Sequence, residues 1–265
     1  MHLECLGTTG LTLFTSEGHE IEVWELAAPS AEQLSSWARS FRQNYCLDED
    51  VDRLRAGTGL SRADYLINLV FPDESMKPGP SIRAGDFAEL LISDYVEMLG
   101  YWVPRGKYAE KASRNESVKG IDILGFRHQG VAPDPEDALL AFEVKAQLTG
   151  VEYAGKLQVA IDDSSKDFYL RRGTTLNALK RRLIDRSRFD EADAVSRFQN
   201  PTDNPYRYKS GAALVVTGTA YDQVGISLSS VMHHNNKQDI SLLVVKGENL
   251  MDLVHHLYRA AANEA

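Results

Sequence analysis

Apolar residues crowd residues 11–15 and 21–26 in strand-like stretches, and a helical pattern follows them. Ser30 opens a capped helix, and Ser61 with Asp64 forms a candidate capping box before residues 65–70. The Pro/Gly cluster FPDESMKPGP at 71–80 reads as a linker. Residues 82–99 then carry apolar side chains at helical spacing and stop at Gly100. Strand candidates follow at 101–104, 120–126 and 138–144, the last two joined by a loop with two prolines as a hairpin-like connection. Helical pattern dominates 153–198. Apolar runs at 212–216 and 240–245 are of the buried-strand type, and a helix over 250–262 closes the chain. From residue 82 the order is α-β-β-β-α-β, which predicts an α/β mixed sheet flanked by helices. The expected division is an α+β extension over 1–80, suited to partner docking, and a main domain over 81–265.

Length and composition narrow the class without naming a function. The 265 residues suit one large domain or two modest ones. With 43% hydrophobic and 25% charged residues, wholesale disorder and fibrous repeats are excluded. Cys5 and Cys46 are too few for a disulfide framework or a thiolate zinc site. The N-terminus lacks the basic start and apolar core of a secretory signal, and no apolar run nears the roughly 20 residues of a membrane span. The expectation is a reduced, cytoplasmic protein with no membrane partner.

Charge changes the picture through its distribution. The net charge is −9, which argues against nucleic-acid binding by bulk electrostatics. Residues 1–80 hold 13 acids and 6 bases, whereas residues 171–188 hold seven bases against Asp185 alone. Residues 105–119 add five bases against Glu110 and Glu116. A charge run is commonly a solvated helix face, but these two flank the one stretch with catalytic character.

That stretch is residues 119–147. In Gly120-Ile-Asp-Ile-Leu-Gly125, Asp122 stands among apolar neighbours. In Phe142-Glu-Val-Lys145, the Glu143 and Lys145 side chains leave the same face of a strand. A carboxylate among buried strand residues is costly unless it is paired or metal-bound. Adjacent strands bring Asp122 and Glu143 within reach of one hard cation, with Lys145 beside them to stabilise charge or manage a proton. Metal-assisted phosphodiester hydrolysis requires such a set. Glu89, on the preceding helix, is placed to bind or orient a second ion. A Glu-x-Lys triplet arises by chance about once in a chain of this length, so the combination with the Asp strand and the Glu helix carries the signal.

This combination resembles the PD-(D/E)xK restriction-endonuclease-like superfamily, with Asp122, Glu143 and Lys145 on its signature positions and Ile121 where proline often stands. More narrowly, residues 85–90, 115–126 and 142–145 resemble the nuclease subunit of Hachiman-type antiphage defence systems. The resemblance implies a restriction-endonuclease-like core and a Mg2+-dependent (or Mn2+-dependent) DNA endonuclease. Its catalytic set is Asp122, Glu143, Lys145 and Glu89, and its metal ligands are Asp122, Glu143 and Glu89. It also implies pairing with a superfamily 2 helicase that engages DNA and gates cleavage. Lys119, Arg171, Arg172, Lys180, Arg181 and Arg182 are the expected phosphate contacts. Two other classes compete with this reading. One is a catalytically silent scaffold that docks a DNA-processing partner; the other is a free-standing restriction enzyme, for which no DNA-reading module is evident.

Remaining features read as structural. The adjacent pairs His233-His234 and His255-His256 diverge in direction and suit a surface better than chelation. The Gly-Thr turns at 7–10 and 57–59 lack the lysine of a phosphate loop. Trp24, Trp37 and Trp102 are core or interface anchors, with Trp24, Trp37 and residues 66–71 as candidates for the docking surface. Cys46 has no basic neighbour to activate it.

Overall fold

The computed structural model describes residues 2–265. Six strands form one mixed sheet: β1 (Leu6–Phe14), β2 (Glu20–Leu26), β3 (Ile123–Arg127), β4 (Ala138–Gln147), β5 (Arg207–Thr217) and β6 (Ile240–Gly247). Their spatial order is β1-β2-β6-β5-β4-β3. The two edge pairs are antiparallel hairpins, and the central β2-β6-β5-β4 block is parallel. Strands β4, β5 and β6 are largely buried on both faces, as parallel strands are when helices cover them, whereas β2 alternates buried and exposed residues; residues 212–216 of β5 have no measurable exposure.

Nine α-helices surround the sheet among the described residues: α1 (Ala31–Arg42), α2 (Val51–Arg55), α3 (Arg62–Tyr65), α4 (Gly79–Met98), α5 (Lys156–Lys166), α6 (Arg172–Asp185), α7 (Phe189–Ser196), α8 (Gln223–Ser227) and α9 (Leu250–Asn263). The expected caps form. Ser30 Oγ accepts from the Gln33 amide while Gln33 Oε1 accepts from the Ser30 amide, and Ser61 Oγ accepts from the Asp64 amide. Helix α4 packs on β3 and β4, and α1 lies on α9. On the other face, α5 covers β4 and β5, while Leu176, Leu179 and Leu183 of α6 pack with Leu139 and Ala141 of β4.

One expectation needs correction. Residues 101–104 form no strand; Trp102 and Phe126 exchange one pair of backbone hydrogen bonds at 2.7 and 2.8 Å and the pairing goes no further. The segment before residue 80 shares its sheet and core with the rest of the chain. Strand β2 is bonded in register to β6, and a single apolar cluster runs from Cys5 through Phe87 to Ala262. Residues 71–80 are accordingly an anchored entry to α4, where Asp73 caps the amides of Ser75 and Met76 and pairs with Arg114 at 2.6 Å. Of the residues named for the docking surface, Leu69 is 53% exposed. Trp37, Leu66 and Phe71 are fully buried in the chain's own core, and Trp24 lies half-buried, edge-on to Tyr95.

The lesser features mostly fall as expected. Cys46 is buried, which pushes its thiol up to about 11 and leaves it unreactive. His234 departs from the surface expectation: it is 5% exposed and lies within 3.4 Å of Ser164 Oγ. No helix among the described residues is long and apolar enough to cross a membrane.

Candidate nuclease site

The β3–β4 register builds the site. Ile123 faces Phe142 and Leu124 faces Ala141, so the antiparallel pairing, continued by one residue, sets Asp122 opposite Glu143. Asp122 Oδ2 accepts from the Val144 amide at 2.9 Å, which fixes the carboxylate at the end of the ladder. Glu143 is 2% exposed. Two residues on and on the same face, Lys145 reaches Glu143 Oε2 at 3.5 Å and Asp163 of α5 at 2.9 Å. Asp122, Glu143 and Lys145 therefore lie together at the end of one hairpin.

Electrostatics mark the cluster as unusual. Burial, reinforced by Glu89 and Glu143, holds the Asp122 carboxyl well above its ordinary range. Burial, with Asp167 as the next contributor, lifts Glu143 to about 7, and burial lifts Asp167 to about 6. Burial opposes the charge on Lys145, but its bond to Asp163 and the nearby Asp122 and Glu143 outweigh that and raise its pKa. Groups with displaced ionisation in one cluster are a recurrent mark of catalytic sites.

Glu89 stands apart from this trio in its bonding. It is on α4, where Tyr108 donates to its Oε2 at 2.7 Å and the Lys107 ammonium forms an ion pair with it. Lys107 also donates to the Asp122 carbonyl at 2.6 Å. Sequence reasoning counted Lys107 only as one charge in a basic run, and it missed Tyr108, Asp163 and Asp167. The Asp163, Asp167 and Arg171 spacing of four, along one helical face, was the available signal for the last two.

The basic segments divide. In residues 105–119 most bases turn inward: Arg105 to Asp94 and Glu97, Lys107 to Glu89, Lys111 to Asp86 and Arg114 to Asp73. Lys119 is exposed. A five-residue π-helical turn, Asp167–Arg171, joins α5 to α6 and brings Arg171 to 3.5 Å from Glu143 and 3.3 Å from Asp167. Arg172 lies over the Tyr208 ring at 5.1 Å. Lys180 bonds Gln199 at 3.3 Å and Arg181 is exposed, whereas Arg182 turns inward to Glu110 at 3.2 Å. The Lys180–Arg182 cluster thus offers two outward bases rather than three.

The carboxylates suit a hard divalent ion in kind. Glu143 Oε1 is buried and makes no hydrogen bond, with the Arg171 guanidinium 3.5 Å away, and Glu89 is already held by a cation of the chain's own. They do not close around a common point: among the described residues no three His, Cys, Asp or Glu side chains stand close enough to hold a metal. In comparisons with known proteins, no curated protein matches the chain. The family model described as HamA matches residues 3–261, nearly the whole length, and its members are Hachiman-type defence proteins. With Asp122, Glu143 and Lys145 converging at the end of one hairpin and that match spanning both ends of the sheet, the chain belongs to the HamA family.

Proposed function

We propose that this chain is the nuclease of its defence system: a Mg2+-dependent or Mn2+-dependent endonuclease that hydrolyses DNA phosphodiester bonds and is gated by a superfamily 2 helicase subunit. The observation that carries the reading is the Asp122–Val144 hydrogen bond, which sets Asp122 against Glu143 with Lys145 beside both. Asp122, Glu143 and Glu89 are the residues that would hold the ion. Held by them, such an ion would supply Lewis-acid polarisation of the scissile phosphate and a more acidic attacking water.

The chain's own groups supply the rest. Lys145 places a positive charge beside Glu143, where it orients the nucleophile and offsets negative charge developing on phosphate oxygen. Asp163 holds the Lys145 ammonium at 2.9 Å and keeps it aimed. Arg171, 3.5 Å from Glu143 and partly exposed, is placed to receive a phosphate at the mouth of the site. A net charge of −9 disfavours tight DNA binding by the isolated chain, which supports recruitment by a DNA-engaging partner.

The test is plasmid cleavage by the purified chain, alone and with its helicase partner, in Mg2+ and in Mn2+, each with an EDTA control. Cleavage that needs the metal and rises when the partner engages DNA supports the reading. A chain that binds the helicase yet never cleaves DNA in either metal identifies a silent scaffold instead.

A further inference from the structure

The three expected ligands fail to close around a point, and Lys107 gives a physical reason. Its ammonium forms an ion pair with Glu89 and donates to the Asp122 carbonyl, so it lies between the helix that carries Glu89 and the strand end that carries Asp122. Both side chains of the pair are only 18% exposed, so water screens them little. Tyr108, the next residue, donates to the same Glu89 oxygen. Glu89 is therefore satisfied twice from the turn Lys107–Glu110, and from nowhere on the β3–β4 hairpin.

We propose that Lys107 is a built-in counter-cation that holds Glu89 in place of a divalent ion, so that the Lys107–Glu89 pair and the metal exclude one another. The proposal rests on the reading of Asp122, Glu143 and Glu89 as a metal site. A hard dication and an ammonium compete for the same carboxylate oxygens, and the one that stays pushes the other out.

The surroundings allow the exchange. A cavity of about 50 Å3 lies beside the turn, lined by Lys107, Asp122, Asn44, Ser93 and Thr175. Its polar side chains can receive an ammonium that leaves Glu89. The turn starts at Gly106, whose φ of 88° lies in the left-handed region, and it is pinned from outside by Arg186, which donates to the Gly106 carbonyl at 3.1 Å. On its far side Gly106 and Ala109 line a groove of about 1000 Å3 between the end of α1 and Arg186. Whatever moves this turn moves Lys107 with it.

The test is calcium binding by the full-length chain, measured by titration calorimetry and by the rise in Tm, since Ca2+ takes the same oxygen ligands as Mg2+. Lys107→Met should bind Ca2+ about tenfold tighter or more than the unaltered chain. Its metal-free Tm should be lower, because the Glu89 carboxylate loses its counter-charge, and Ca2+ should raise it further than in the unaltered chain. Lys107→Gln is the parallel variant should the methionine form not fold. Adding Glu89→Gln should erase the gain. Equal or weaker Ca2+ binding by both Lys107 variants overturns the proposal, whether or not the chain cleaves DNA. Tighter Ca2+ binding in a chain that never cleaves DNA with Mg2+ leaves the proposal standing and removes the nuclease reading.

Discussion

The Val144 amide donates to Asp122 Oδ2 at 2.9 Å, the bond by which the chain sets the first acidic residue of its site against the strand that carries the second. The carboxylate takes the place of a backbone carbonyl at the end of the ladder. It is thereby held in one orientation with its second oxygen not used by that bond.

Asp122→Ala and Glu143→Ala should each lower the DNA cleavage rate by at least about 100-fold, the scale of losing a principal electrostatic group. Asp122→Asn keeps an acceptor for Val144 and discards only the charge. It should therefore retain the unfolding free energy of the parent within about 1 kcal/mol while losing activity as fully as the alanine form. A cleaving Asp122→Asn variant would separate the residue's structural role from any chemistry.

Lys145 depends on Asp163, which holds it at 2.9 Å against 3.5 Å for Glu143. Lys145→Ala should cost about 100-fold or more in rate. Asp163→Asn should cost less, about tenfold, because the ammonium remains but is no longer fixed. Single-turnover cleavage at saturating Mg2+ makes the comparison. Equal losses for the two variants would place Asp163 itself at the reacting atoms.

Much of this was legible in residue spacing. Glu143 and Lys145 had to share a face because strand periodicity is two, and the hairpin between 120–126 and 138–144 had to bring Asp122 near them. Helix α4 was visible from its apolar repeat, though it begins at Gly79, inside the supposed linker. What stayed hidden depends on contacts between distant segments. Pairing of β2 with β6 joins residues 21–26 to 242–247, and no local pattern announces a parallel partner so far along the chain. The basic run at 105–119 hid its role for a related reason: Lys107 and Lys111 find Glu89 and Asp86, two acids one helical turn apart on α4, so charges counted only as part of a basic run are internal counter-ions.

Asp86 ties acid stability to this internal network. It is buried against Lys111 and accepts from Tyr45 at 2.6 Å, and burial lifts its carboxyl from 3.8 to about 6 despite the lysine. The folded state therefore holds this proton more tightly than the unfolded chain does. Its stabilising effect is complete below about pH 4 and is lost as pH rises through about 6. Relative to Asp86→Asn, the parent should lose about 1–3 kcal/mol between pH 4 and pH 7. Urea unfolding of both chains at the two pH values measures it. A stability difference that stays constant with pH would count against the shift.

The outward bases of α6 are the place where salt should report DNA contact. Lys180 and Arg181 point away from the core, whereas Arg182 is 12% exposed and spent on Glu110. Each phosphate contact that is lost should flatten the log-affinity against log-salt slope by about 0.9 on duplex DNA. Lys180→Gln with Arg181→Gln should thus reduce the slope by about 2, measured on the complex with the helicase partner so that DNA is held. Arg182→Gln should leave the slope unchanged and lower Tm instead, since Glu110 loses its guanidinium. Exposed Lys119 and half-buried Arg172 give a second comparison, and neutralising both should also flatten the slope by about 2. If the double variant on α6 binds more weakly at every salt concentration with an unaltered slope, that helix face meets the protein partner rather than the DNA backbone.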